Sequence, residues 1–192
     1  MRADKAATEA GDQAGRADPD AVDEIVAQWR DQRPDLDPSP IALFGRVHRV
    51  YLRYQAVISR GFSEFGLNSA SFDVLAALRR SGPPYRKTAT ELATGSLLSS
   101  AGVTFRLDRL EQAGLIERQR DARDRRVVYS QLTEAGLAVI EQAIAKHLEY
   151  EHQLLTGLTP REREQLAGLL SKLERSIVGA VRAAGDGDGS AA

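Results

Sequence analysis

Between Arg120 and Arg126, four arginines (Arg120, Arg123, Arg125 and Arg126) share seven positions with Asp121 and Asp124. Guanidinium groups at that density do electrostatic chemistry: they take phosphate oxygens, often two bonds at a time. A narrow minor groove concentrates negative potential and draws in arginine. The tip therefore reads as a duplex contact, with Arg125 or Arg126 inserted and Arg123 beside them. Asp124 then orients a guanidinium, because a carboxylate next to phosphate repels.

A second set of groups lies upstream. Placed on a wheel at 100° per residue, Val103, Leu107 and Leu110 cluster within about 60° and form an apolar seam. On the outer side lie Ala101, Phe105, Asp108, Arg109 and Gln112, with Ser100 and Thr104 at the flank. Ser99 or Ser100 caps this helix and Gly114 ends it. A small, polar, basic outer face is what a helix in the major groove requires. Arg109 can reach a guanine edge or a phosphate, Ser99, Ser100 and Thr104 a phosphate or base, and Phe105 a thymine methyl. Arg106 sits beside the seam instead. A guanidinium there requires a carboxylate or a ligand anion.

These groups need a scaffold to place them. After the helix, residues 115–120 and 126–132 alternate as two strands around the arginine tip. Helix, strand, basic turn, strand is the order of a winged helix-turn-helix, spanning 70–132. Ala70 to Arg80 reads as a helix with Phe72, Leu75 and Leu78 inward, and Thr88 with Glu91 as a capping box opening a short helix. Thr133 caps a long helix carrying Leu137, Ile140, Ile144, Leu148 and Leu155. Thr159, Pro160 and Glu162 open the last one. Upstream, Val22, Ile25, Val26 and Trp29 mark an added helix within 19–34, and residues 41–66 a long amphipathic one ending at Gly66. The ends, 1–18 and 185–192, read as disordered tails. The expected class is mainly α with a small β-hairpin wing. The apolar faces of 41–66 and 133–181 exceed what the winged unit can cover, which predicts a helical dimerisation region and a homodimer.

Composition narrows the alternatives. The chain has 192 residues, 42% hydrophobic and 28% charged, with no cysteine, so disulfides and thiolate metal sites are excluded. From Arg79 to Arg126 there are eleven Lys/Arg against six Asp/Glu, a local +5 within a formal net charge of −1. A basic centre on an acidic body is the footprint of a surface that meets phosphate. His48 stands alone and His147 and His152 are five apart, so no metal pair is indicated. Gly61, Gly66 and Gly82 lack the setting of a phosphate loop. No enzyme, cofactor or metal is expected. No apolar run reaches membrane-spanning length, and residues 1–20 lack a secretory apolar core, so the expected location is cytoplasmic. The rival to DNA binding is a winged helix used for protein–protein contact alone, which has no need of the arginine tip.

The stretch SSAGVTFRLDRLEQAGLIER, then Asp124-Arg-Arg126 and Leu132-Thr133-Glu-Ala-Gly136, resembles the multiple-antibiotic-resistance regulator (MarR) family, whose DxR…LTxxG pattern the last two pieces carry. The resemblance covers residues 41–180. It implies a dimeric, ligand-responsive transcription regulator, usually a repressor, on a pseudo-palindromic operator in double-stranded DNA. Phe105 departs from the family's usual polar residue, which bears on operator sequence rather than fold. The helix with Trp29, Arg33-Pro-Asp-Leu-Asp37, Phe72-Asp73-Val-Leu-Ala76 and Arg80-Ser-Gly-Pro-Pro-Tyr85 resembles the urate-responsive branch. That resemblance implies a small anionic effector held by Trp29, Asp73, Arg80 and Arg106, with Arg118 matching a further position. Urate, a planar anion, suits arginine, a carboxylate for ring N–H and an aromatic wall. The same logic also fits xanthine, a polycarboxylate or a phenolic effector. An Asp73–Arg80–Arg106 ion-pair network without ligand is the structural alternative.

Overall fold

The computed structural model describes residues 18–95 and 100–188. It divides into two compact units, residues 1–60 and 61–192. In the first, α1 (Ala21–Gln32) is opened by a capping box. The Asp20 side chain accepts from the Val22 and Asp23 amides, and Asp23 accepts from the Asp20 amide. Arg46, on α2 (Ser39–Ser63), then bonds both Asp20 at 3.1 Å and Asp23 at 2.7 Å. Val22 and Val26 are buried, whereas Ile25 and Trp29, placed on the same face by their spacing, are exposed.

The second unit is organised around α3 (Ser69–Arg80), which Asn68 caps by accepting from the Ser71 amide. Phe72 and the run Val74 to Leu78 are buried almost all round. A helix that is apolar on every side belongs at a centre. Here α3 meets α4 (Ala89–Gly95), α5 (Ser100–Gln112), β1 (Arg86–Thr88), β3 (Val128–Leu132) and α6 (Glu134–Leu154). The final helix, α7, is Pro160–Asp188, opened by Thr159 and Glu162, whose carboxylate accepts from the Thr159 amide at 2.8 Å. It runs past Gly185, where composition alone places a tail.

The sheet has three antiparallel strands in the order β1–β3–β2, with β2 spanning Ile116–Arg120. The predicted hairpin is β2 and β3, with Ile116 opposite Leu132 and Arg120 opposite Val128. The additional strand β1 escapes sequence reading because Arg-Lys-Thr is too short and polar to alternate. It forms by pairing with β3, Lys87 opposite Ser130.

Where wing and helices meet, the Thr133 hydroxyl donates to the Gly114 carbonyl at 2.7 Å and accepts from the Gly136 amide at 3.0 Å. A Cβ on Gly136 would lie 1.8 Å from the Leu115 carbonyl oxygen. The Thr-x-x-Gly spacing thus has a steric reason: threonine caps α6 and ties it to the turn after α5, and only glycine lets the two backbones approach. Gly114 has φ +70°, the left-handed conformation glycine adopts freely.

Candidate functional site

Helix α5 is seated by Val103, Leu107 and Leu110, all buried. Each such side chain contributes about 1.5–3 kcal/mol. The seam fixes the rotation of the helix, so Thr104, Phe105, Arg109 and Gln112 stand on its exposed side. Phe105 is 64% exposed. The Arg109 guanidinium lies over its ring, 5.6 Å from the centroid, one turn along the same face. Ser99 and the Ser100 side chain fall outside the described residues.

Strand β2 is pinned to this helix. Arg118 bonds Asp108 at 2.5 Å and pairs with Glu111 at 3.4 Å. One guanidinium therefore ties up two carboxylates of α5 and leaves Arg109 as the charge on its outer face. Between α5 and the strands runs a groove of about 440 Å³ lined by Ala89, Thr104, Leu107, Arg118, Arg120, Val128 and Ser130.

The tip between β2 and β3 is built by its two aspartates. Asp121 accepts from the Arg123 amide at 2.8 Å and the Asp124 amide at 3.0 Å, and these bonds hold its carboxyl below the usual aspartate range. Asp124 accepts from the Arg126 amide at 3.0 Å and its Nε at 3.2 Å. The Arg126 side chain remains 92% exposed. Asp124 thus aims a guanidinium outward without burying it, and Arg123 and Arg125 are exposed beside it. Tip and helix face together present Arg109, Arg120, Arg123, Arg125 and Arg126 on one winged unit.

A second cluster lies behind the helix, around Asp73 on α3. Burial pushes the Asp73 carboxyl up, while Arg80, His147 and Arg106 act on it in the opposite direction. No hydrogen bond or ion pair joins Asp73 to Arg80 or Arg106 among the described residues, so the closed ion-pair network is not formed. Nη1 of Arg106 is buried with no hydrogen-bond partner. Such a group carries a desolvation cost that an incoming anion can offset. Arg80 is exposed and lines a small hollow of about 190 Å³ with Ala77, Ser81, Lys87 and Glu91.

His147, on α6, is the member that sequence reading missed. Its ring packs on Phe72 at 4.9 Å and Phe62 at 5.2 Å, and its Nε2 faces Glu151 at 3.2 Å. Its Nδ1 is buried without a partner. Only the packing of α6 on α3 brings it near Asp73, and no local pattern marks it. Arg118 is not part of the cluster; the carboxylates of Asp108 and Glu111 claim it. Trp29 stands on α1 of the first unit, its side chain exposed. Among the described residues no group of three or more His, Asp or Glu could hold a metal ion, and no helix is long and apolar enough to cross a membrane.

Comparison with known proteins agrees with this geometry. Residues 65–127, the winged unit without its second wing strand, match the model of the MarR family. The chain is 38% identical over 157 residues to the HTH-type transcriptional regulator PecS of Dickeya dadantii, covering 82% of this chain and 95% of that protein. It is similar in structure to a mutant MarR of E. coli complexed with operator DNA, at TM-score 0.62 and 28% identity, covering 76% of this chain and 96% of that one. It is also similar to BpsR of Bordetella bronchiseptica, whose DNA binding is regulated by 6-hydroxynicotinic acid, at TM-score 0.62 and 27% identity, covering 69% and 92%. Five arginines on the winged unit, a helix seated to show its polar face, and a PecS-like sequence lead to one conclusion: the chain belongs to the MarR family of DNA-binding, HTH-type transcriptional regulators.

Proposed function

We propose that the protein is a ligand-responsive repressor whose hold on its operator is released by a small planar anion such as urate. The observation that carries this reading is the bare Nη1 of Arg106, buried on the same helix that presents Phe105 and Arg109 to DNA. Asp73 supplies an acceptor for ring N–H groups, and Arg80 a second positive charge beside it. An anion that pairs with Arg106 acts on the DNA-reading helix directly. It lowers DNA affinity to the extent that it binds the released form more tightly than the DNA-bound form. BpsR, whose DNA binding is regulated by 6-hydroxynicotinic acid, is a similar protein and supports this reading.

The DNA-bound form is a homodimer. Helix α2 exposes Phe44, Val47, Val50 and Tyr51, and α7 exposes Leu166, Leu169, Leu170, Ile177 and Val181. Apolar faces of that extent are suited to burial against a second copy. Two recognition helices then address half-sites about 10 bp apart in a pseudo-palindrome. Exposed on α5 and the tip, Thr104, Phe105, Arg109, Arg123, Arg125 and Arg126 form the reading surface; Ser99 and Ser100, assigned to it from the sequence, lie outside the described side chains.

Calorimetric titration of urate, xanthine, citrate and salicylate onto the protein tests the effector assignment. One of these anions binds wild type, and Arg106→Ala and Asp73→Asn each weaken it at least tenfold. If wild type and Arg106→Ala bind the anion equally, Arg106 is not its partner.

A further inference from the structure

The Arg106 guanidinium lies against a glycine of its own helix. Gly102 lies one turn before it, and an ideal Cβ built there falls 2.8 Å from Arg106 Nη1, 3.0 Å from Cζ and 3.2 Å from Nη2. All three distances are to the guanidinium head, so the head lies against the position that a side chain at residue 102 would occupy. No ion pair or hydrogen bond holds its buried Nη1 there. The bare backbone at residue 102 leaves room for it.

We propose that Gly102 is a positioning residue, a seat that keeps the Arg106 guanidinium folded inward, unpaired and aimed at the effector. The proposal rests on the reading of Asp73, Arg80 and Arg106 as an effector site. Glycine inside a helix weakens it relative to alanine, so the seat has a helix-propensity cost. It keeps one positive charge of α5 off the DNA face, where its field reaches Asp73. An anion pairing with Arg106 in its seat acts on the first turns of the helix, the region carrying Thr104 and Phe105.

Gly102→Ala separates the seat from the helix. Alanine at 102 supports α5, so the variant melts no lower than wild type. Its methyl would lie 2.8 Å from Nη1, so the Arg106 head must shift from its seat. Nitrogen-15 spectra of the arginine side chains read this directly, the Arg106 signal being identified by its loss in Arg106→Lys. Wild type shows restricted guanidinium rotation at Arg106, and Gly102→Ala shows free, averaged rotation. Restricted rotation that persists in Gly102→Ala, or free rotation in wild type, overturns the seat. Urate titrated onto the same proteins then tests the link to the effector. Gly102→Ala loses at least tenfold in urate affinity, as Arg106→Ala does. If Arg106→Ala loses urate and Gly102→Ala keeps it, the positioning role is overturned while the effector site stands. If urate binds neither wild type nor Arg106→Ala, the effector reading fails and the spectra alone decide the seat.

Discussion

The Arg109 guanidinium lies over the Phe105 ring, 5.6 Å from its centroid, and both groups stand on the exposed face of α5. An aromatic ring on a solvent face has no core to fill. Here it lies under a cation that, on the proposed reading, grips a guanine edge with two bonds. The stacking is worth about 0.5–1 kcal/mol at an exposed site, enough to bias Arg109 toward a single pose. On the proposed reading the 64% exposed ring also meets a thymine methyl.

Selection of bound duplexes from a randomised pool resolves the two parts. Arg109→Ala loses about 1–3 kcal/mol of discrimination at one guanine. Phe105→Asn loosens preference at that guanine and at the neighbouring base pair, while keeping general affinity within threefold. An unchanged preference in Phe105→Asn means the ring plays no part in reading.

At the wing, the effect is uniform rather than sequence-specific. Arg126→Ala weakens binding to every duplex and reduces the slope of log affinity against log salt by about one. Asp124→Ala, which frees the Arg126 guanidinium without removing it, gives a smaller loss in the same direction. Filter binding from 50 to 300 mM salt measures both. Equal affinity of wild type and Arg126→Ala for duplex DNA favours a protein-interaction module instead.

Gly136→Ala tests the joint between wing and helices. Its methyl meets the Leu115 carbonyl oxygen at 1.8 Å, a distance that only backbone movement can relieve. The cost is about 3 kcal/mol, or about 10 °C in melting temperature for a chain of this size. Thr133→Ala, which removes a helix cap and the bond to Gly114, costs about 1 kcal/mol. Calorimetric melting that ranks them in the opposite order contradicts the steric account.

Much of this surface is legible in the sequence because it depends on local periodicity. The seam of Val103, Leu107 and Leu110 fixes which side of the helix faces out, and Thr133, Thr159 and Gly114 mark boundaries that the structure keeps. What local pattern omits depends on partners distant in the chain. Strand β1 exists only because β3 lies beside it. His147 joins Asp73 only through the packing of α6 on α3. Arg118 is claimed by Asp108 and Glu111 across the gap between strand and helix, a choice that spacing within either element does not reveal.

Burial raises the Asp73 carboxyl, and this gives its contribution to stability a definite sign. For a carboxyl raised in the folded state, the stabilisation is full below the ordinary aspartate value and is lost as pH climbs through the raised one. Asp73→Asn removes that loss. It melts no lower than wild type at pH 7, and its melting temperature changes less between pH 4 and 7. The same variant loses effector binding. A clear drop in melting temperature at pH 7 places Asp73 among the structural ion pairs instead.

Arg106 is the proposed link between the effector and the DNA grip. The most direct measurement is the affinity of wild type and Arg106→Ala for duplex DNA from upstream of the protein's own coding sequence, with and without urate, xanthine or citrate. Wild type loses at least tenfold in affinity when one of these anions is added, and Arg106→Ala binds the same DNA but does not respond. An Arg106→Ala protein released from DNA as readily as wild type would contradict the coupling, as would wild-type binding that none of the anions alters.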